Sequence, residues 1–165
     1  MIVNNLLEGC FDNNFEVRFR TQRPKADGRG FTDEFDIEVR NKTLDRTCLV
    51  DELSGGQFVL VNEAVNLGIA IYNMRQGEGV RHETLFRDET VGALDAKNAK
   101  EYVRMLRHAM SLGGFYQVIF ICHSPQIWEL VDRILTLRDV QVFVELRGVG
   151  WRSGLDEVET VTVGG

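Results

Sequence analysis

A serine followed by two glycines, placed directly before a long apolar run, constrains this chain more than any other feature. The segment is Leu53-Ser54-Gly55-Gly56-Gln57. Apolar residues then recur at helical spacing and predict a helix from about Ser54 to Met74: Phe58, Val61, Val65, Ile69 and Tyr72. A helix start exposes backbone N–H groups and a positive dipole end, both of which attract phosphate. The alternative is an ordinary helix N-cap.

The first quarter of the chain predicts a short helix followed by an antiparallel hairpin. Apolar residues at helical spacing run from Ile2 to Cys10. Apolar and charged residues then alternate over residues 15–19 and again over 35–39, which is typical of half-buried strands. The polar loop 23–30 between them contains proline and glycine. We expect a hairpin over residues 15–41 with one face in water.

Strands and helices alternate further along the chain, which favours an α/β core. Asp95 is a candidate N-cap for a helix whose buried face carries Ala99, Val103, Leu106 and Met110. The other predicted elements are strands at Thr84–Arg87, Tyr116–Cys122, Ile134–Leu137, Val140–Leu146 and Val158–Val163, and a short helix from Pro125 through Leu130.

Composition limits the classes of partner. The formal net charge of −6 is a poor match to a module that binds nucleic acid over its whole surface. The three cysteines have no metal-ligand spacing, and their odd number argues against a disulfide framework. No apolar stretch approaches the length of a membrane span. We therefore expect a soluble protein that is cytoplasmic or nucleoid-associated.

Two adjacent acids end the first strand of the predicted core. Asp88 can hold Mg²⁺ directly or through water, and Glu89 can orient or deprotonate an attacking water. The alternative is a solvated strand end before a turn. Arg87 is unusual in a slot that is ordinarily apolar, and is either a rim residue or the partner of an acid.

A histidine ends another predicted strand. His123 follows an apolar run and precedes a serine–proline helix start. A histidine in this place can donate to a phosphate oxygen, although a single histidine at a strand end is more often structural. Its order after the two acids favours the functional interpretation.

The motif order identifies a family resemblance. LSGGQ, then FRDE, GALD and ICHS, resembles the C-terminal half of an ATP-binding-cassette head. The hairpin before LSGGQ is similar to the SMC and SbcC type, in which a long coiled coil separates two half-heads. The resemblance implies an α/β fold: the C-terminal lobe of a P-loop ATPase head, with a mixed sheet flanked by helices and an N-terminal antiparallel hairpin.

Roles follow from the resemblance by position. Ser54, Gly55 and Gly56, with Gln57 of the same segment, would bind the γ-phosphate of ATP held by the opposite subunit. Asp88 would be the Mg²⁺-binding Walker B acid and Glu89 the catalytic base. Asp95 would belong to the D-loop at the dimer seam, and His123 would be the switch histidine. Residues 1–12 would be the foot of a returning coiled-coil arm, 13–147 the ATPase lobe, and 148–165 a tail.

The resemblance also implies partners. No Gly-rich loop ending in Gly-Lys-Ser/Thr precedes LSGGQ in this sequence. The chain alone is therefore expected to be inactive and to need its own N-terminal Walker A lobe, ATP, Mg²⁺ and a second head as a homodimer. An engineered fragment with Met1 as an added start and a naturally split protein both explain the missing loop.

Three functions remain open from the motifs. The first is DNA repair or recombination with a nuclease partner, and the second is an ATP-gated head that organises chromosomes or tethers DNA. An SMC hinge or a zinc-hook cysteine pair in the intervening segment would distinguish these two. The third, the nucleotide-binding domain of a membrane transporter, fits less well because of the hairpin before LSGGQ.

Overall fold

The computed structural model describes residues 1–11, 14–77, 84–88, 94–122, 125–137 and 141–148. Within these ranges the chain forms, in order, α1 (Ile2–Glu8), β1 (Phe15–Pro24), β2 (Phe31–Asn41), β3 (Arg46–Leu49), α2 (Gly55–Gln76), β4 (Thr84–Arg87), α3 (Ala96–Gly113), β5 (Gln117–Ile121), α4 (Pro125–Trp128), β6 (Arg133–Leu137) and β7 (Gln141–Arg147). The strand predicted at Val158–Val163 lies outside these ranges.

The N-terminal sheet has the order β1-β2-β3. β1 and β2 pair antiparallel from Phe15 opposite Asn41 to Pro24 opposite Phe31, which confirms the predicted hairpin. β3 pairs with the end of β2 and was not predicted, because two polar residues followed by two apolar residues give no alternation. The buried side chains lie near the base of the hairpin, at Phe15, Val17 and Val39, so the far part of the hairpin projects from the core.

The second sheet has the order β4-β5-β7-β6 and is mixed. β4 and β5 are parallel, whereas β7 runs antiparallel to both β5 and β6. β4 is an edge strand of the described sheet, and its Phe86 is 69% exposed. The alternation of strands with helices predicted the α/β class correctly.

Helix α3 is amphipathic and has a cap at each end. Its predicted face is buried, and the Asp95 side chain accepts the Asn98 backbone N–H at its N-terminus. Gly114 ends the helix with φ of +72°, a left-handed conformation that glycine adopts without strain. The packed residues include Tyr102 of α3, whose ring lies edge-on to Phe120 of β5.

Helix α2 forms where it was predicted, but its buried face differs from the row of apolar residues on which the prediction was based. Val61 and Val65 are buried, whereas Phe58, Ile69 and Tyr72 are 37–55% exposed. The buried face instead carries Leu60, Ala64, Leu67 and Ile71, together with Glu63. The helix has apolar residues on both faces, so periodicity could locate it but could not orient it.

Helix α1 is fixed to both layers of the lobe. The Asn4 side chain forms a fork on the β1 backbone: Oδ1 accepts the Val17 N–H at 2.8 Å, and Nδ2 donates to the Val17 carbonyl at 3.2 Å. Val3 packs against Gly68 of α2, where a Cβ would lie 2.8 Å from the Val3 Cγ2 atom. This α1 is the segment expected to be the foot of an arm, and the assignment of residues 1–12 to an arm stays a prediction.

Candidate functional site

The segment Leu53–Gln57, called the signature segment below, forms the sharp entry into α2. Ser54 is the N-cap residue, with extended φ and ψ of −62° and 153°, and its carbonyl accepts the Phe58 N–H at 2.8 Å. The Gln57 carboxamide turns back and accepts the Ser54 N–H at 3.3 Å. The predicted helix start is therefore confirmed, and the side chain of Gln57 is used to shape it.

The two glycines have different surroundings. A Cβ on Gly55 would meet no atom within 4 Å, so this position faces open space. A Cβ on Gly56 would overlap the Asn98 carboxamide and lie 3.0 Å from its Cγ atom. Gly55 therefore leaves room for a ligand at the helix start, whereas Gly56 allows close approach of α3.

Asp95 and Asn98 form a compact cap beside Gly56. Asp95 accepts the Asn98 backbone N–H at 2.8 Å, and the Asn98 Nδ2 group donates to the second Asp95 oxygen at 3.0 Å. Of the predicted nucleotide-binding residues, the structure thus brings the signature segment and Asp95 to one place. Asn98, which joins them, was not singled out from the sequence.

Asp88 follows β4 directly and is exposed. The predicted catalytic residues Glu89 and His123 lie outside the described residues, so their roles stay predictions. Asp88 is connected to α2 through its neighbour: the Arg87 guanidinium forms a two-pronged ion pair with the carboxylate of Glu63, including an Nε–Oε1 distance of 2.6 Å. Arg87 is therefore the partner of an acid, as one of the two interpretations expected.

The ion pair between Arg87 and Glu63 is largely buried. Glu63 is 2% exposed and the Arg87 side chain is 23% exposed. Burial by itself would lower the pKa of Arg87, but the hydrogen bond and the charge of Glu63 outweigh it and raise that pKa above its ordinary value. The sequence analysis did not single out Glu63. Its spacing of one helical turn from Leu60 and Leu67 places it on the same apolar face, where a buried carboxylate needs a cation as partner.

Two features of the described residues are compatible with ATP and Mg²⁺: the start of α2 and the carboxylate of Asp88. The start of α2 has no acidic residue in its first turn and opens onto free space at Gly55, which suits a phosphate group. Among the residues that the structure describes, no three metal-ligating side chains cluster. A single exposed carboxylate such as Asp88 suits Mg²⁺, which is commonly held by one or two carboxylates plus phosphate oxygens and water.

Sequence comparison finds ATP-binding export proteins among the relatives. Over 91 residues, or 55% of the chain, the sequence is 31% identical to the macrolide export ATP-binding/permease protein MacB of Neisseria meningitidis serogroup B. It is 30% identical over 94 residues to MacB of Azoarcus sp.. Each match spans 12% of the length of the MacB protein. No family model matches the chain.

Structure comparison finds the head domain of an SMC protein. A structure solved for work on ATP-driven dimerization and DNA-stimulated activation of SMC ATPases superposes with a TM-score of 0.55 at 16% sequence identity. The superposition covers 88% of this chain and 83% of the other. The chain therefore has the fold of an SMC-type head lobe, as the motif order predicted.

None of the helices in the described ranges combines the length and the apolar character that a membrane-spanning helix needs.

Proposed function

We propose that this chain is the C-terminal half of an SMC/SbcC-like ATPase head that binds and hydrolyses ATP at a dimer interface. The observation that carries the proposal is the signature segment at the start of α2, open at Gly55, within a lobe that has the SMC head fold. The 31% identity to MacB over 91 residues supports ATP binding, because MacB is named as an ATP-binding protein.

In the proposed reaction, water attacks the γ-phosphate in line with the leaving oxygen. Glu89 takes the proton from that water, and His123 donates a hydrogen bond to the γ-phosphate. Asp88 would hold Mg²⁺, which when bound would neutralise charge on the phosphate oxygens. The backbone N–H groups of the signature segment approach the γ-phosphate from the opposite subunit, assisted by the positive end of the α2 dipole.

The proposed assembly needs partners. The Walker A lobe of the same gene product supplies the cradle for the α- and β-phosphates, and a second copy of the head completes each site. We further propose that hydrolysis is coupled to DNA repair or recombination with a nuclease subunit in the cytoplasm. An ATP-gated chromosome-organising head is the alternative, and the SMC fold favours neither of these two roles over the other.

The first experiment compares ATP hydrolysis by this chain alone, by the N-terminal segment alone and by the mixture. We expect turnover only in the mixture. Turnover by this chain alone would contradict the half-head proposal, and a confirmed complex without turnover would favour a structural role.

A second experiment tests the catalytic base. Glu89→Gln in the complete head is expected to bind ATP, to stop hydrolysis and to accumulate an ATP-bound dimer, measured by size-exclusion chromatography with light scattering. The matched control is Glu8→Gln, because Glu8 is an exposed acid on α1. Normal turnover by Glu89→Gln would contradict the assignment of Glu89 as the catalytic base.

A further inference from the structure

The strand that leads to Asp88 is tied to the signature helix by one buried ion pair. Arg87 and Glu63 face each other with two donor nitrogens on two acceptor oxygens. A paired geometry of this kind fixes direction as well as distance, because the guanidinium and the carboxylate must lie nearly coplanar. The pair therefore sets the orientation of Arg87 relative to α2.

The phenol of Tyr102 on α3 lies in the same buried region. Tyr102 is fully buried, and its hydroxyl contributes to the raised pKa of Arg87. The side chain of Arg87 thus extends from β4 to α2, which begins at the signature segment.

β4 has limited support from the sheet. It is four residues long and, among the described strands, hydrogen-bonds only to β5, where Arg87 lies opposite Phe120. The next residue after Arg87 is Asp88. Since the backbone of an edge strand has hydrogen bonds on one side only, the buried ion pair of its last residue adds a constraint on where the following residue, Asp88, lies.

We infer that Glu63 is a positioning residue for ATP hydrolysis: through Arg87 it holds the end of β4, and with it Asp88, in a fixed relation to the signature helix. The inference rests on the proposed function. In that function the signature segment contacts ATP of the opposite subunit, whereas Asp88 serves the ATP of its own head. Glu63 and Arg87 therefore connect the two ATP sites of the dimer through one chain.

The test separates positioning from stability by replacing both charges. Glu63→Met/Arg87→Met removes the ion pair without leaving a buried charge, and such replacements are often neutral or stabilising. In the complete dimeric head, we expect an unchanged or higher Tm. We expect kcat for ATP to fall about 10- to 100-fold, the usual loss when a group that orients a metal ligand is removed. KM should stay within about twofold, and the Hill coefficient for ATP should fall toward one.

Two further variants complete the experiment. Glu63→Gln keeps the acceptor oxygen and should retain more of kcat than the double variant. Glu16→Gln/Arg18→Gln removes an ion pair whose arginine is 61% exposed and should leave kcat and the Hill coefficient at wild-type values. Failure of the wild-type head to hydrolyse ATP would overturn the proposed function, and with it this inference. Hydrolysis by the wild type with unchanged kcat and Hill coefficient in the double Met variant would overturn this inference alone.

Discussion

The carboxamide of Asn98 lies against Gly56, at the point where any other residue would carry its Cβ. The contact joins the first turn of α3 to the first turn of α2. Asn98 is held there by Asp95, to which it donates both its backbone N–H and its side-chain N–H. The signature segment and the predicted D-loop residue are therefore one packed unit within a single chain.

Gly56→Ala should weaken this unit. The new methyl group displaces the Asn98 side chain and breaks its hydrogen bond to Asp95, which costs about 1 kcal/mol of unfolding free energy. Chemical denaturation measures the loss. Gly55→Ala is the matched control and should be neutral or slightly stabilising, because a Cβ there meets nothing and alanine favours the helix. The double variant Gly56→Ala/Asn98→Ala should be more stable than the sum of the single changes implies; strict additivity would contradict the contact.

Arg87→Met alone should be much more damaging than the double Met replacement. It leaves the Glu63 carboxylate 2% exposed and without its partner, and loss of one member of a buried pair costs about 3–5 kcal/mol. Urea unfolding of this chain, followed by circular dichroism, measures the difference. Equal stability of the single and double variants would show that the carboxylate tolerates isolation.

Asn4→Ala should loosen α1 from the hairpin. The change removes both hydrogen bonds to Val17 and leaves a backbone N–H and carbonyl unsatisfied in a partly buried place, which costs about 1–3 kcal/mol. Hydrogen exchange should show faster exchange of the Val17 amide. Asn5→Ala is the control on the exposed side of the same helix, and its exchange pattern should match that of the wild type.

Two of the three thiols, those of Cys10 and Cys48, should differ in reactivity. Burial, followed by the negative charge of Glu101, raises the pKa of Cys10 to about 12, whereas Cys48 is only half-buried. With Ellman's reagent at pH 8, Cys48 should react first, and Cys10 only on unfolding. Rapid labelling of Cys10 in the folded chain, compared with a Cys10→Ala variant, would contradict its burial.

The raised pKa of the Cys10 thiol should make the stability of the fold depend on pH. Its pKa is raised in the folded state, so the neutral thiol is favoured by folding and the stabilisation is complete below the ordinary value near 9. That stabilisation should be lost as the pH rises from about 9 toward about 12. Cys10→Ala should remove this part of the pH dependence in thermal unfolding measured across the same range.

Much of the fold follows from local pattern. The hairpin, α2, α3 and the cap at Asp95 were predicted correctly, because alternation, helical spacing and capping depend only on residues that are close in sequence. β3 was missed because its four residues contain too little pattern. The orientation of α2 was not predictable, since apolar residues occur on both of its faces.

The site was harder to predict than the fold. Motif order identified Ser54, Gly55, Gly56 and Asp95. In contrast, Asn98 contacts Gly56 across 42 residues of sequence, and Glu63 contacts Arg87 across 24. Such contacts depend on how helices pack and have no local signature. The roles of Asp88, Glu89 and His123 stay predictions, as do the domain boundaries at residues 12 and 147.

The close approach of Val3 to Gly68 has a consequence for natural variation. A Cβ at position 68 would already lie 2.8 Å from the Val3 side chain, so the two positions share one fixed volume between α1 and α2. Among homologous chains, a larger residue at position 68 should accompany a smaller one at position 3. Side-chain size at the two positions should therefore vary inversely, and a chain that enlarged both would have to open the angle between the two helices.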